Sequence, residues 1–276
     1  MTYRKICGIL SEAGIAGAEH EAALLIERFC SISPAMLPLL KDKEFSCPEL
    51  ESAVMRRAER YPLQYILGEW GFCREKYKLN PDCLIPRADT ELLVETAARL
   101  IPPGGSFIDA GTGCGCIAIS LLAARPDITG CAFDISAGAL ETARSNAETN
   151  RVSGRLKLLQ GDMLDTRFFQ RVGVFDAVIS NPPYIPSGEI TGLEPELCFE
   201  PRIALDGGAD GLTFYRGLIS NAGSSLRADG VIILEIGSNQ AAQVIEIAGS
   251  AGYSCMEILK DIEGRDRVLV LGRLRR

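Results

Sequence analysis

From Ser106 onward, short apolar runs alternate with single helical stretches, and this alternation constrains the fold more than any other feature of the sequence. The predicted strands are Ser106–Ala110, Gly130–Phe133, Leu156–Leu159, Val174–Ser180, Val231–Ile236, Cys255–Leu259 and Val268–Leu271. Helices are predicted over 116–124, 137–149, 212–227 and 239–251. Strands joined by single helices need crossover connections, which run right-handed and build a parallel sheet covered on both faces. The expectation is therefore an α/β fold: a doubly wound, mostly parallel seven-stranded sheet of Rossmann-like type. The last two predicted strands have no helix between them and are expected to form an antiparallel edge hairpin.

The first eighty residues follow a different pattern. Ala22, Leu25, Ile26 and Phe29 recur at helical spacing, and Ser46-Cys47-Pro48-Glu49 reads as a capping box with proline in the first turn. Leu50, Val54 and Ala58 continue that helix on one face, and Pro62 ends it. Residues 1–78 are expected to form a small helical bundle, either a structural appendage or a docking domain. Residues 79–276 are expected to form the sheet domain.

Composition narrows the class. With 47% hydrophobic and 24% charged residues, the chain can bury a sizeable core. The longest apolar stretch, residues 115–124, falls well short of the ~20 residues that a bilayer requires. Ser11 and Glu12 interrupt the N-terminal apolar run, so no signal peptide is expected and a cytoplasmic location is inferred. The ten cysteines include no C-x-x-C pair, and His20 is the one histidine. Zinc sites and Ser-His-Asp hydrolases need histidines that this chain lacks. The cysteines are expected to be reduced and mostly buried, and His20 to be solvated. Residues 1–80 carry equal numbers of basic and acidic side chains, so the net charge of −7 falls on the sheet domain. That domain is poorly suited to a polyphosphate backbone, which is held by Lys and Arg displacing counterions.

The chemistry is expected at the strand ends, where ligands bind in sheets of this type. Asp109-Ala110-Gly111-Thr112-Gly113-Cys114-Gly115 closes the first strand, and its glycines allow close backbone approach to a ligand. The spacing is G-x-G-x-G rather than G-x-G-x-x-G, and Asp109 precedes it. Both details favour S-adenosylmethionine, which is cationic and has no pyrophosphate to place at a helix N-terminus. Asp134 ends the second strand, where a carboxylate accepts from a ribose diol, a role that dinucleotide enzymes share. After the third strand, Asp162 is read either as an acceptor for an adenine amino group or as a helix N-cap, with Met163 packed on the ring.

Ser180-Asn181-Pro182-Pro183-Tyr184 follows the fourth strand and is the most specific signal. A planar amide or exocyclic amine is a weak nucleophile because its lone pair is delocalised. Acceptors on its two N–H bonds fix its orientation, and the Asn181 side-chain oxygen and the Pro182 carbonyl are the candidates. Pro182 and Pro183 stiffen the backbone and remove donors, while Tyr184 offers a face for stacking. The catalytic candidates are thus Asn181, Pro182 and Tyr184. The substrate-binding candidates are Asn181, Pro182, Pro183 and Tyr184. No metal is required, because the sulfonium carries its own leaving group.

Taken together, these segments resemble the HemK family, the glutamine-N5 methyltransferases of peptide chain release factors. The likeness covers nearly the whole chain. It includes Gln64-Tyr65-Ile66-Leu67-Gly68, Leu84-Ile85-Pro86-Arg87 with Thr90-Glu91, the two loops above, Glu200-Pro201-Arg202-Ile203-Ala204-Leu205, Gly208-Ala209-Asp210-Gly211-Leu212, Leu234-Glu235-Ile236-Gly237 and Gly264-Arg265-Asp266-Arg267. The resemblance implies transfer of a methyl group from S-adenosyl-L-methionine to the glutamine of a Gly-Gly-Gln motif, leaving S-adenosyl-L-homocysteine. It implies release factors as partners and places the cofactor against Gly111, Thr112, Gly113, Cys114, Gly115, Asp134, Met163 and Asn181. Many relatives carry tryptophan at the position of Met163. A nucleic-acid amino methyltransferase would use the same asparagine loop, but the neutral helical domain and the few residues after Tyr184 argue against it. An NAD-binding or non-catalytic Rossmann protein leaves that loop unexplained.

Overall fold

The computed structural model describes residues 1–274. The described chain divides into two compact units, one of residues 1–69 with 194–199, the other of 70–193 with the residues from 200 onward.

The first unit is helical. It holds α1 (Tyr3–Glu12), α2 (Ala18–Cys30), α3 (Pro48–Ala58) and α4 (Leu63–Leu67). The Thr2 hydroxyl caps α1 by accepting from the Lys5 N–H. Ile6, Leu10, Leu25, Ile26, Leu50 and Val54 are fully buried and form its core. The expected capping box at Ser46 does not form. Proline is accommodated best at the first helical position and forces the preceding residue to be extended. Pro48 therefore makes Cys47 the cap residue (φ −145°, ψ 104°), with no side-chain cap bond. Arg57 is buried and paired with Glu21 (2.5 Å) and with Glu196 (2.9 Å) of the 194–199 segment.

The all-helical expectation for the first eighty residues fails at its end. A two-stranded hairpin forms there from β1 (Glu69–Phe72) and β2 (Glu75–Lys78), burying Phe72 and Tyr77.

The second unit continues with α5 (Glu91–Leu100), β3 (Ser106–Ala110), α6 (Cys116–Ala124), β4 (Thr129–Asp134), α7 (Ala137–Thr149) and β5 (Leu156–Gln160). After these come α8 (Thr166–Val172), β6 (Phe175–Ser180), α9 (Thr213–Ala222), β7 (Leu226–Glu235), α10 (Ala241–Ser250), β8 (Tyr253–Lys260) and β9 (Asp266–Arg273). The sheet order is β5-β4-β3-β6-β7-β9-β8. The first five strands in that order pair in parallel, while β9 is antiparallel to both β7 and β8. The seven-stranded, mostly parallel sheet and its antiparallel edge hairpin are as expected.

Helices α5, α6 and α7 pack on one another, as do α8, α9 and α10, in the manner of a doubly wound sheet. Strands β3 and β6 and the 232–235 end of β7 are almost wholly buried because both faces are covered. The strand order reverses between β3 and β6, so a crevice opens beyond their carboxyl ends.

His20 is exposed, as expected. The cysteines form no disulfide among the described residues, but only Cys83, Cys114, Cys116 and Cys131 are buried, whereas Cys73 and Cys198 are exposed. The expectation of mostly buried thiols is thus corrected. Among the described residues, no helix is long and apolar enough to cross a membrane.

Candidate functional site

A cavity of about 250 Å³ lies at the carboxyl ends of β3, β4, β5 and β6. Of the residues singled out in the sequence, Gly111, Gly113, Asp134, Asp162, Met163, Asn181 and Pro183 line it. Asp109, Thr112, Cys114, Gly115, Pro182 and Tyr184 do not.

The glycine loop is stitched to the end of β4. The N–H groups of Gly111 and Thr112 donate to the Phe133 carbonyl (2.9 and 3.0 Å), and the Gly113 N–H donates to Asp134 Oδ2 (2.9 Å). Gly111 has φ +73°, and a Cβ there would stand 2.7 Å from Met163 Cε. Only glycine fits both the conformation and the approach. Alternate residues of the loop face opposite ways: Gly111 and Gly113 face the cavity, while Thr112 and Cys114 are buried beneath it.

Asp134 accepts from Gly113 through Oδ2 and from the Ser136 N–H through Oδ1, both at 2.9 Å. Each oxygen keeps a further lone pair for a ligand hydroxyl. Burial pushes its carboxyl above the usual range. Asp109 lies beneath the loop, fully buried, with Oδ2 accepting from the Thr112 hydroxyl (2.6 Å) and Oδ1 unpartnered among the described residues. Burial pushes its carboxyl up to about 7.

Asp162 is not a helix cap. Its Oδ1 accepts from the Leu164 N–H (2.8 Å) in a local turn, and Asp165 caps α8 instead. Met163 is buried against Gly111, and its carbonyl accepts from Asn221 Nδ2 (3.2 Å).

After β6, the loop holding Asn181 is pinned on both sides. Upstream, the Ser180 hydroxyl donates to the Ala110 carbonyl (2.6 Å). Downstream, Gln240 Nε2 donates to the Tyr184 carbonyl (2.9 Å), and Ile185 bridges to Asp206. Asn181 Nδ2 donates to Thr90 Oγ1 (3.2 Å), which donates to Glu235 Oε2 (2.6 Å). Tyr184 belongs to this buried polar group rather than to the cavity wall. Burial and the nearby Glu235 push its phenol up to about 12.

The remaining walls come from segments to which sequence reasoning gave no role. Cys83 and Leu84 lie on one side and Pro201, Ile203 and Ala204 on another. The buried Glu200 carboxylate clips these two segments together by accepting from the Ile85 N–H (2.9 Å) and pairing with Arg87. Among the described residues, the cavity lining includes three carboxylates, Asp82, Asp134 and Asp162, and no basic side chain. An acidic, otherwise mostly apolar lining fits a cationic adenosyl ligand and disfavours a pyrophosphate.

The chain matches known proteins over nearly its whole length. The PrmC N-terminal domain family matches residues 3–68, and the methyltransferase small domain family matches residues 87–193. The release factor glutamine methyltransferase of Geobacter sulfurreducens is 38% identical, over 97% of this chain and 95% of its own. That of Moorella thermoacetica is 39% identical, over 97% of both chains. The crystal structure of ribosomal protein L11 methylase from Lactobacillus delbrueckii subsp. bulgaricus superposes with a TM-score of 0.52. That match is 20% identical, covers 71% of this chain and 84% of the other, and is a likeness of fold alone.

Proposed function

The chain belongs to the release factor glutamine methyltransferases, and from that premise we propose that it methylates the side-chain amide N5 of the glutamine in the Gly-Gly-Gln motif of peptide chain release factors, tuning translation termination. One observation carries this reading: the glycine loop and the Asn181 loop border a single acid-lined cavity at the strand ends.

S-adenosylmethionine supplies a methyl group on a sulfonium, which leaves as the neutral thioether S-adenosylhomocysteine. Asp134 receives the ribose hydroxyls on its remaining lone pairs. Met163 and Asp162 flank the adenine, and Gly111 and Gly113 let the backbone approach the amino-acid portion. Asn181 Oδ1, on the cavity wall, accepts an N–H bond of the glutamine amide and turns its nitrogen lone pair toward the methyl carbon. Pro182 lies behind that wall, so its carbonyl can serve as the second acceptor only if the loop shifts when substrate binds. As the new N–C bond forms, the C–S bond breaks with its electrons going to sulfur, and one amide proton passes to solvent. The contribution of these residues is positioning, worth up to ~7–11 kcal/mol in favourable cases.

Residues 1–78 dock the release factor, and residues 79–276 carry the chemistry. The exposed apolar side chains Met36, Leu39 and Met55 of the helical unit are available to a protein partner.

The test is incubation with labelled S-adenosylmethionine and, separately, release factor, release factor with the motif glutamine replaced by glutamate, DNA and ribosomal RNA. Label is expected in intact release factor alone. Label in nucleic acid and none in release factor would overturn the substrate assignment.

A further inference from the structure

The side-chain amide of Asn181 presents opposite hydrogen-bonding character on its two ends, and an acceptor must face the cavity if it is to hold an N–H of the substrate. We infer that Glu235, acting through Thr90, fixes which end that is: the pair holds the Asn181 NH2 away from the cavity and leaves Oδ1 facing the substrate amide. The inference rests on the reading of Asn181 given above and extends it to two positioning residues.

Proton counting fixes the direction of the chain. Thr90 and Glu235 are 2% and 1% exposed, so their hydrogen bonds must be satisfied within the protein. A carboxylate only accepts, so the single hydrogen of the Thr90 hydroxyl goes to Glu235 Oε2, at 2.6 Å. Thr90 Oγ1 then has only lone pairs left for Asn181, and only the Nδ2 group can fill them, as it does at 3.2 Å. A flipped Asn181 would set oxygen against the Thr90 lone pairs and its NH2 against the substrate NH2. Both contacts are repulsive. The negative charge on Glu235 thus orders a three-member chain ending in the cavity.

The surroundings of Glu235 bear on when that charge is present. Thr90 and Asp89 face it from the turn before α5, Tyr184 from the loop after β6, Tyr215 from α9 and Arg267 from β9. The Tyr215 hydroxyl donates to the Glu235 main-chain carbonyl (3.0 Å). Arg267 is held by Asp89 (3.2 Å) and Asp261 (3.0 Å). Burial and Asp89 favour the neutral acid, while Thr90, Arg267 and Tyr184 favour the carboxylate, and the balance places the group at about 7. A protonated Glu235 can donate to Thr90, which turns the Thr90 hydrogen toward Asn181 and releases the constraint. Turnover is therefore expected to rise with pH through about 7.

The experiment uses the full-length protein with labelled S-adenosylmethionine and release factor, and compares Thr90→Val, Thr90→Ser, Glu235→Gln and Asn181→Ala. Thr90→Val is expected to lower kcat by about 10- to 100-fold, with cofactor Kd unchanged within about threefold. Thr90→Ser restores most of the loss, because only the hydroxyl is needed. Glu235→Gln lowers kcat by about tenfold and removes the rise with pH. Asp109 titrates in the same range, but it is intact in Glu235→Gln, so a rise that persists there belongs to Asp109 and counts against the inference. Wild-type kcat in Thr90→Val, or Thr90→Ser no better than Thr90→Val, overturns it while Asn181→Ala is inactive. Wild-type kcat in Asn181→Ala overturns the underlying reading instead. Should Thr90→Val fail to fold, Thr90→Ala takes its place, and the pH profile of Glu235→Gln decides independently.

Discussion

Replacing Asp134 by asparagine removes one charge and almost no volume, so its effect on binding of the thioether, which lacks the sulfonium charge, reports mainly on hydrogen bonding. In the wild type, the two carboxylate oxygens accept from the Gly113 and Ser136 N–H groups at 2.9 Å each. Asparagine keeps one oxygen and sets an NH2 against the other backbone N–H, leaving that donor unsatisfied and the glycine loop partly released. Bonds to a charged acceptor contribute about 1.5–3 kcal/mol each, and the diol contact loses at least one. At 1.4 kcal/mol per factor of ten, cofactor affinity is expected to fall by about 10- to 150-fold. Calorimetric titration with S-adenosylhomocysteine and its 2′,3′-dideoxy analogue separates the ribose contact from displacement of the loop. The analogue binds the wild type more weakly than the parent compound, whereas the variant discriminates little between them. Equal discrimination by variant and wild type, or an affinity in the variant within about threefold of wild type, refutes the assignment of Asp134 to the ribose.

Three further outcomes are expected. Asn181→Ala leaves cofactor binding within about tenfold (~1.4 kcal/mol) in an equilibrium titration, yet lowers release-factor methylation by about 100-fold or more. Gly111→Ala forces an L side chain into φ +73° and pushes Met163 Cε from 2.7 Å. Thermal denaturation should register a loss of about 1–2 kcal/mol, and truncating Met163 as well should not restore it, since the backbone strain remains. The Asp109 carboxyl is raised by burial to about 7, so the native state binds the extra proton between the unfolded value near 4 and about 7. Its contribution to stability therefore falls as pH rises through that window. Urea titrations from pH 5 to pH 8 should show a flatter pH dependence for Asp109→Asn than for wild type.

The elements readable from the sequence are those with strong local patterning. Residues 106–110, 116–124 and 137–149 match observed elements residue for residue, because a short, mostly apolar strand and well-bounded helices carry their own signals. Helix α8 is absent from the predicted elements. It has seven residues, of which Phe169 alone is buried, too few for a helical period to show. The β1–β2 hairpin falls in a stretch that reads as helix, because its strands have four residues each and charged side chains on their outer faces.

The site divides along the same lines. The two loops are visible because glycines and prolines at strand ends mark backbone demands directly. Their internal facing is not: Thr112 and Cys114 point into the core because successive loop residues alternate, a detail set by the bonds to Phe133 and Asp134. The sequence suggests that Tyr184 stacks on substrate, but the buried group around Glu235 draws it in. Thr90 and Glu235 stand far apart in the sequence; the placement of β7 beside β6 brings Glu235 to Asn181, and the packing of α5 on β7 brings Thr90 there. The local hints are a glutamate closing the apolar run Val231–Leu234 and the presence of both residues in segments that carry the family resemblance.

The electrostatics of the cavity also indicate where acceleration must arise. Asp82, Asp134 and Asp162 favour a cationic ligand over its neutral product. That preference aids capture of the cofactor and release of the thioether, but it stabilises the charge present before transfer, and binding of the ground state alone does not speed a reaction. The rate enhancement must therefore come from the nitrogen side, where positive charge develops on the amide as the new bond forms. Oxygen acceptors on its N–H bonds gain strength as that charge grows. On the proposed reading, capture falls to the acidic wall and the chemical step to the Asn181 loop, so the orientation of one asparagine amide is expected to matter more to turnover than any carboxylate in the cavity.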